Sequence, residues 1–177
     1  MSTAELHRKE GPRDIRFAFL TVSTSRYSKF KRGEEIEDES FIRAKRVVES
    51  FGYHITRYAL VPDNPRLILF ALDALFDAQD VDVIVLSGGT GPTRDDVTVQ
   101  TVRPLFDKEL EGFGDVFRSA SIREAGPSSF LSNATAGIVK DKVVFLLPGS
   151  PNAVETALKE IICPEAAHVL ALARRGL

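Results

Sequence analysis

The sequence predicts an α/β fold, a three-layer sandwich in which a mostly parallel sheet is flanked by helices. Two observations predict it. Short apolar runs of strand length alternate with longer segments of helical periodicity, in the order strand, helix, strand, helix, strand, helix. Three of the apolar runs end directly in polar loops rich in Gly, Ser and Pro, as strands do where an open parallel sheet binds its ligands. The chain has 177 residues, close to the size of one domain at roughly 100–200 residues each. Residues 15–177 are read as that domain. Residues 1–14, polar and aperiodic around Gly11-Pro12, are read as a tail.

Each element has its own signal. Ile15 to Val22 is eight residues rich in Phe, Ile, Val and Leu, which suits a buried strand. Ser23 to Glu39 is polar, opening with Ser23-Thr24-Ser25 and carrying Arg26, Lys29, Lys31 and Arg32, and no element is assigned to it. From Ser40, the residues Phe41, Ile42, Val47, Val48 and Phe51 recur at helical spacing until Gly52 stops them. His54 to Val61 reads as a second strand. Asp63-Asn64-Pro65 is a helix start, a capping side chain before a Pro in the first turn, and it opens Leu67 to Phe76.

Val81 to Leu86 reads as a central strand that stops at a glycine loop. Asp96 or Thr98 offers a cap for a helix through Leu105, and a further helix spans about Phe113 to Glu124. Ala134 to Val139 and Val143 to Leu147 flank Lys140-Asp141-Lys142 as a hairpin. Pro148-Gly149-Ser150-Pro151 then starts a last helix, Asn152 to Ala173.

Composition excludes several classes. Hydrophobic residues make up 44% and charged residues 27% of the chain, ordinary values for a globular domain rather than a disordered one. Lys+Arg of 23 against Asp+Glu of 25 leaves a net charge of −2, without the basic field of a nucleic-acid binder. Leu67 to Leu72 is the longest apolar run, far short of the roughly 18 residues of a membrane span. The first residues do not resemble a secretion signal, so a cytoplasmic protein is expected. The single cysteine, Cys163, rules out an internal disulfide or a cysteine-rich zinc site. It sits beside Ile161 and Ile162, as a packed residue would. His7, His54 and His168 are scattered and lack ligand spacing.

Chemistry is sought in the three polar loops. Ser87-Gly88-Gly89-Thr90-Gly91 is the most informative, since its glycines expose backbone N–H groups and permit positive φ, which lets a loop wrap an anion. It is neither the dinucleotide GxGxxG pattern nor a P-loop. Arg94, Asp95 and Asp96 follow; such acids hold magnesium beside phosphates, or equally cap a helix. Asp63 has the same two readings. Ser87 has neither a GxSxG setting nor a nearby His, which argues against triad hydrolysis. Arg26, Lys29, Lys31, Arg32 and Arg43 can meet phosphates or form a solvated face.

Leu86-Ser87-Gly88-Gly89-Thr90-Gly91-Pro92-Thr93-Arg94-Asp95-Asp96-Val97-Thr98 resembles the signature of the MoaB/Mog family, the molybdopterin adenylyltransferases of molybdenum-cofactor assembly. The resemblance continues through Pro104 to Gly114, Leu131 to Gly137 and Leu147 to Val154. It spans about Ile15 to Leu170 and looks closest to the MoaB branch. It implies a molybdopterin-binding-like fold assembled as a homotrimer or homohexamer. It also implies magnesium-dependent transfer of AMP from ATP to the terminal phosphate of molybdopterin, with release of pyrophosphate, ahead of molybdenum or tungsten insertion. The metal-insertion protein becomes an expected partner.

By the same resemblance, Asp63 and Asp96 match the family's metal and catalytic aspartates, and Ser87 to Gly91 contain its nucleotide-phosphate loop, Gly88 to Gly91. Ser132, Ser150 and Asn152 match positions lining the same cleft, while Ser23, Ser25 and Ser40 match the pterin side. Three positions depart from the pattern: Thr24 stands where Asp or Asn is usual, Phe41 where Gly is usual, and Asn133 where Arg is usual. A non-catalytic pterin- or nucleotide-binding MoaB-type protein, and a CinA-like nucleotide pyrophosphatase, are the alternatives.

Overall fold

A computed structural model describes residues 12–175. Most of the expected tail, residues 1–11, lies outside the described residues. The described residues form one sheet of six strands in the order β2-β1-β3-β6-β5-β4. The strands are β1 (Arg16–Val22), β2 (His54–Val61), β3 (Val83–Ser87), β4 (Lys108–Glu109), β5 (Thr135–Val139) and β6 (Lys142–Leu147). β2, β1, β3 and β6 run parallel, while β5 and β4 are antiparallel additions at one edge. The expected hairpin is β5–β6, and its tight turn puts Lys140 at φ 55°.

The two-residue period of β1 divides its side chains between two helical layers. Phe17 and Phe19 join Val83, Val85 and Phe145 on one face. They pack under α2 (Glu39–Ser50), α5 (Gly112–Ala125), α6 (Pro151–Ala157) and α7 (Cys163–Ala173). Ala18, Leu20 and Val22 join Ile84, Leu86 and Leu146 on the other face, against α3 (Pro65–Phe76) and α4 (Thr98–Val102). The central strands are therefore apolar along their length because neither face meets water.

Several elements differ from the sequence expectation, each for a local reason. The polar stretch after β1 contains α1 (Thr24–Lys31), capped by Ser23 and without a buried residue, so it has no apolar stripe to announce it. α2 starts one residue earlier than expected because the Asp38 carboxylate caps the Phe41 amide. Asn64 caps α3 through the amides of Arg66 and Leu67, which leaves Asp63 free of that duty. Neither Asp96 nor Thr98 caps α4 with its side chain. The two-residue β4 is too short to carry a periodic signal. The expected last helix is interrupted by a π-helical turn over Leu158–Ile162, just before Pro164, whose missing N–H cannot continue the regular ladder.

Chain order places the site. β1 is followed in the sheet by β2 on one side and by β3 on the other. The connections therefore diverge between the carboxyl ends of β1 and β3, where open α/β sheets form their ligand crevice.

Candidate active site

The loop after β3 crosses the end of β1. Gly88 has φ 111°, and a Cβ there would stand 2.1 Å from the Val22 carbonyl oxygen, so only glycine fits. Its N–H donates to Leu147 O at 3.0 Å, and its carbonyl accepts the Thr98 hydroxyl at 2.8 Å. Gly89, at φ 66°, accepts the Thr98 N–H. Among the described residues the N–H groups of Gly89 and Thr90 make no hydrogen bond, so these two amides are the ones left for an anion. The side chains of Ser87 and Thr90 are buried, and the Ser87 hydroxyl donates to Pro148 O. These two positions therefore present backbone rather than side chain to the crevice.

Both expected acids lie against this loop. Asp63 ends the β2 connection, and its Oδ1 lies 3.1 Å from where a Gly89 Cβ would stand. Its Oδ2 accepts the N–H and the hydroxyl of Thr24, at 2.9 and 2.7 Å. Asp96 packs two residues further along, with Oδ2 2.7 Å from a Gly91 Cβ position. That oxygen accepts the N–H and hydroxyl of Thr93, at 3.0 and 2.6 Å. Burial pushes the Asp96 carboxyl up, but the bonds from Thr93 and the Gly91 amide outweigh it and hold the group below its ordinary range. Arg94 and Asp95 are exposed.

A magnesium ion carried with a nucleotide needs one or two carboxylates, since phosphates and water supply its other oxygens. Among the described residues no group of three or more His, Cys, Asp or Glu could cage an ion. The Asp63 carboxylate, with Oδ2 committed to Thr24 and Oδ1 facing the glycine loop, fits the shared mode of binding.

Two cavities bear on the site, although residues 87–91 line neither of them. One, of about 1030 Å³, is lined by Ser23, Ser25, Arg26, Lys29, Glu35 and Glu37 among others, bringing two of the expected serines together with two cations and two acids. The Ser23 hydroxyl caps α1 and contacts Ser25 Oγ at 3.2 Å. Ser40, matched to this side by the resemblance, is fully buried and donates to Gly149 O at 2.9 Å. It ties α2 to the β6 loop and does not face a ligand. Of the other expected cations, Arg32 pairs with Glu34, and Arg43 pairs with Glu39 and Glu155.

The second cavity, of about 840 Å³, is bounded by Arg103, Glu109, Gly114, Arg118, Asn133 and Thr135 among others. Asn133 connects it to the glycine loop by donating its amide to Gly91 O. Ser132 accepts the Ala134 N–H, and its carbonyl accepts Arg118. Ser150 caps α6, and Asn152 accepts Arg43 at 2.8 Å; both line a separate cavity of about 310 Å³ with Ser121 and Glu124. The β6 loop nonetheless touches the glycine loop, since a Gly149 Cβ would lie 3.3 Å from Gly88 Cα.

Residues 18–168 match the family model described as "Probable molybdopterin binding domain". The chain belongs to this family. It is 44% identical to a molybdopterin adenylyltransferase of Pyrococcus furiosus over 96% of this chain and 98% of that one. It is 40% identical to a "Probable molybdopterin adenylyltransferase" of Methanocaldococcus jannaschii over 93% and 97%. Among solved structures it resembles the tungsten cofactor synthesizing protein MoaB from Pyrococcus furiosus, with a TM-score of 0.79, 43% identity, and coverage of 92% and 99%. The α/β sandwich expected from sequence is thus the fold of this molybdopterin-binding family.

Sequence reasoning gave no supporting role to four residues, although it noted Thr24 and Asn133 as departures from the family pattern. Thr24, Thr93, Asn133 and Arg118 each hold a loop or an acid in place. Thr93 stands three residues before Asp96, a spacing readable as a local side-chain-to-backbone turn. Nothing local links Thr24 to Asp63. Asp38 was missed as well: it is buried and accepts the hydroxyls of Thr21 and Tyr58, fixing the start of α2. The Tyr58 hydroxyl is pushed up to about 12, mainly by its burial. Burial likewise lifts the Cys163 thiol to about 12, removing it from thiolate chemistry.

Proposed function

We propose that this chain is a molybdopterin adenylyltransferase of molybdenum or tungsten cofactor assembly. The observation that carries the reading is the convergence of Asp63 and Asp96 on Gly89 and Gly91 of one loop. A terminal phosphate oxygen of molybdopterin attacks the α-phosphorus of ATP. A new P–O bond forms, the bond from the α- to the β-phosphate breaks, and pyrophosphate leaves. The attacking oxygen is already anionic near neutral pH, so no tuned general base is required. The main demands are positioning and charge neutralisation. The free amides of Gly89 and Thr90 hold phosphate oxygens, and Arg26 and Lys29 draw the pterin phosphate into the cleft that they line. Asp63 and Asp96 would hold magnesium, which when bound offsets charge on the departing pyrophosphate.

The assembly is a homotrimer or homohexamer, and the product passes to the metal-insertion protein. Support for assembly comes from α3 and β2, which leave Leu67, Leu69, Phe70 and Tyr58 exposed beside a cavity of about 640 Å³. No helix among the described residues is long and apolar enough to cross a membrane, in keeping with a cytoplasmic location.

Incubation of the purified protein with molybdopterin, ATP and magnesium tests the reading. Adenylylated pterin and one equivalent of pyrophosphate, followed by mass spectrometry, are expected. Pterin that binds but stays unmodified would instead make the chain a non-catalytic pterin carrier.

A further inference from the structure

The two acids are held in the same way. Each gives its Oδ2 to one threonine, which donates both its backbone N–H and its hydroxyl to that single oxygen. For Asp96 the partner is three residues away, inside the loop. For Asp63 it is 39 residues away, at the start of α1. A third bond closes this longer link, because the Asp63 N–H donates to Thr24 Oγ1 at 3.0 Å. The Thr24 hydroxyl therefore accepts from the backbone and donates to the carboxylate of the same residue, which fixes the side chain against rotation. Hydrogen bonds to an ionised group are the stronger kind, and two on one oxygen define the plane of the carboxylate.

We propose that Thr24 and Thr93 are positioning residues that aim the two aspartates, with Thr24 keeping Asp63 Oδ1 turned toward Gly89 for a metal-bound phosphate. The proposal deepens the adenylyl-transfer reading and rests on it only for the identity of the nucleotide. The geometry fits it in three respects. Thr24 is in α1, whose first-turn amides have no partner within the helix, so its N–H is free to donate outward. Asp63 is released from capping α3 because Asn64 does that work. Gly89 lacks a side chain where one would press on both Asp63 Oδ1 and Thr98 Oγ1, at 3.1 and 2.3 Å.

Thr24→Val keeps the N–H bond and removes both hydroxyl bonds, whereas Thr24→Ser keeps all three. The probe is the ATP analogue AMPPNP, titrated calorimetrically without molybdopterin, so that its α-phosphate meets no acceptor, into the full chain with magnesium and again with EDTA. Thr24→Val is expected to weaken binding about ten-fold with magnesium, as loss of a charge-assisted bond does, and to leave the metal-free titration unchanged. Thr24→Ser is expected to stay within about three-fold of the parent, consistent with retained bonds.

Equal affinities for Thr24→Val and the parent would overturn the proposal. So would an equal loss with EDTA, or a serine variant as weak as the valine one. If Thr24→Val does not fold, Thr93→Val against Thr93→Ser repeats the comparison at the second acid with the same criteria. A parent that shows this pattern yet forms no adenylylated pterin leaves the positioning role standing and removes adenylyl transfer. A parent that binds no magnesium–AMPPNP removes both.

Discussion

Asn133 donates its side-chain amide to the carbonyl of Gly91 at 3.2 Å, and its backbone N–H to the carbonyl of Thr90 at 3.1 Å. Asn133, just ahead of β5, thus latches the glycine loop at Thr90 and Gly91. Asn133→Ala removes the first bond and keeps the second. The freed carbonyl is near solvent, so water replaces the amide and the fold loses little, about 1 kcal/mol. Loop order matters more to a ligand than to the fold. Magnesium–AMPPNP affinity is expected to fall about three- to ten-fold, as the loss of one hydrogen bond does, with a melting temperature within a few degrees of the parent. Calorimetry and thermal denaturation of the same samples check both.

Asp96 combines a local and a functional duty. Its carboxylate braces Thr93 and the Gly91 amide, and under the proposed function it also helps to hold the magnesium. Asp96→Ala is expected to reduce AMP transfer at least ~100-fold, the scale seen when one preorganised electrostatic group is lost. The oligomeric state should stay unchanged. Because its folded pKa is lowered, Asp96 keeps its charge down to a pH below the ordinary carboxylate range. The rate between about pH 5 and 8 should therefore carry no inflection from this group. Initial rates across that range, with size-exclusion chromatography of the variant, check it; an unchanged rate would take Asp96 out of the mechanism.

What was legible in the sequence follows how local each signal is. The strands at the sheet centre were readable because burial on both faces makes Val83 to Leu86 apolar without interruption. The glycine loop was readable because three glycines in four residues have few other uses. α1 was not, since a helix that buries nothing has no periodic stripe, and its cap, Ser23, resembles any loop serine. Ser40 was misplaced for a related reason: a hydroxyl near a ligand loop and one that anchors Gly149 look alike until packing buries one of them. The Thr24–Asp63 link needs β1 and β2 to be side by side before it exists, so no spacing rule reports it. The same holds for Arg16, Asp82 and Arg174, which meet only after folding.

Phe70 is 79% exposed on α3, next to Leu67 and Leu69. An aromatic left in water on an amphipathic helix is stabilised when a second copy covers it. If this face carries the proposed assembly, Phe70→Asp shifts the protein toward monomer without unfolding it, since Ile68, Leu72 and Leu75 carry the inward face of α3. Sedimentation velocity at micromolar concentration reads the outcome. An assembly that survives the substitution would locate the interface elsewhere.

Asp82, 2% exposed, sits at the opposite end of the sheet from the glycine loop. Its carboxylate accepts the Arg16 backbone N–H and two bonds from the Arg16 guanidinium, and Arg174 at the end of α7 contacts it at 2.6 Å. Burial pushes its pKa up, but the bonds from Arg16 and Arg174 prevail and bring it down to about 2. A carboxyl whose folded pKa lies below its unfolded value of 3.8 stabilises the fold fully above that value and loses the contribution as pH falls toward 2. The shift corresponds to about 2 kcal/mol at neutral pH. Asp82→Asn, which keeps the shape and removes the charge, should cost about 2–3 kcal/mol, the lower end because both arginines are about one-third exposed. It should also flatten the pH dependence of stability between about pH 5 and 2, the interval in which the parent loses this contribution. Urea denaturation of both proteins at pH 7, 4 and 3 tests the sign: the gap between them must narrow as the solution is acidified.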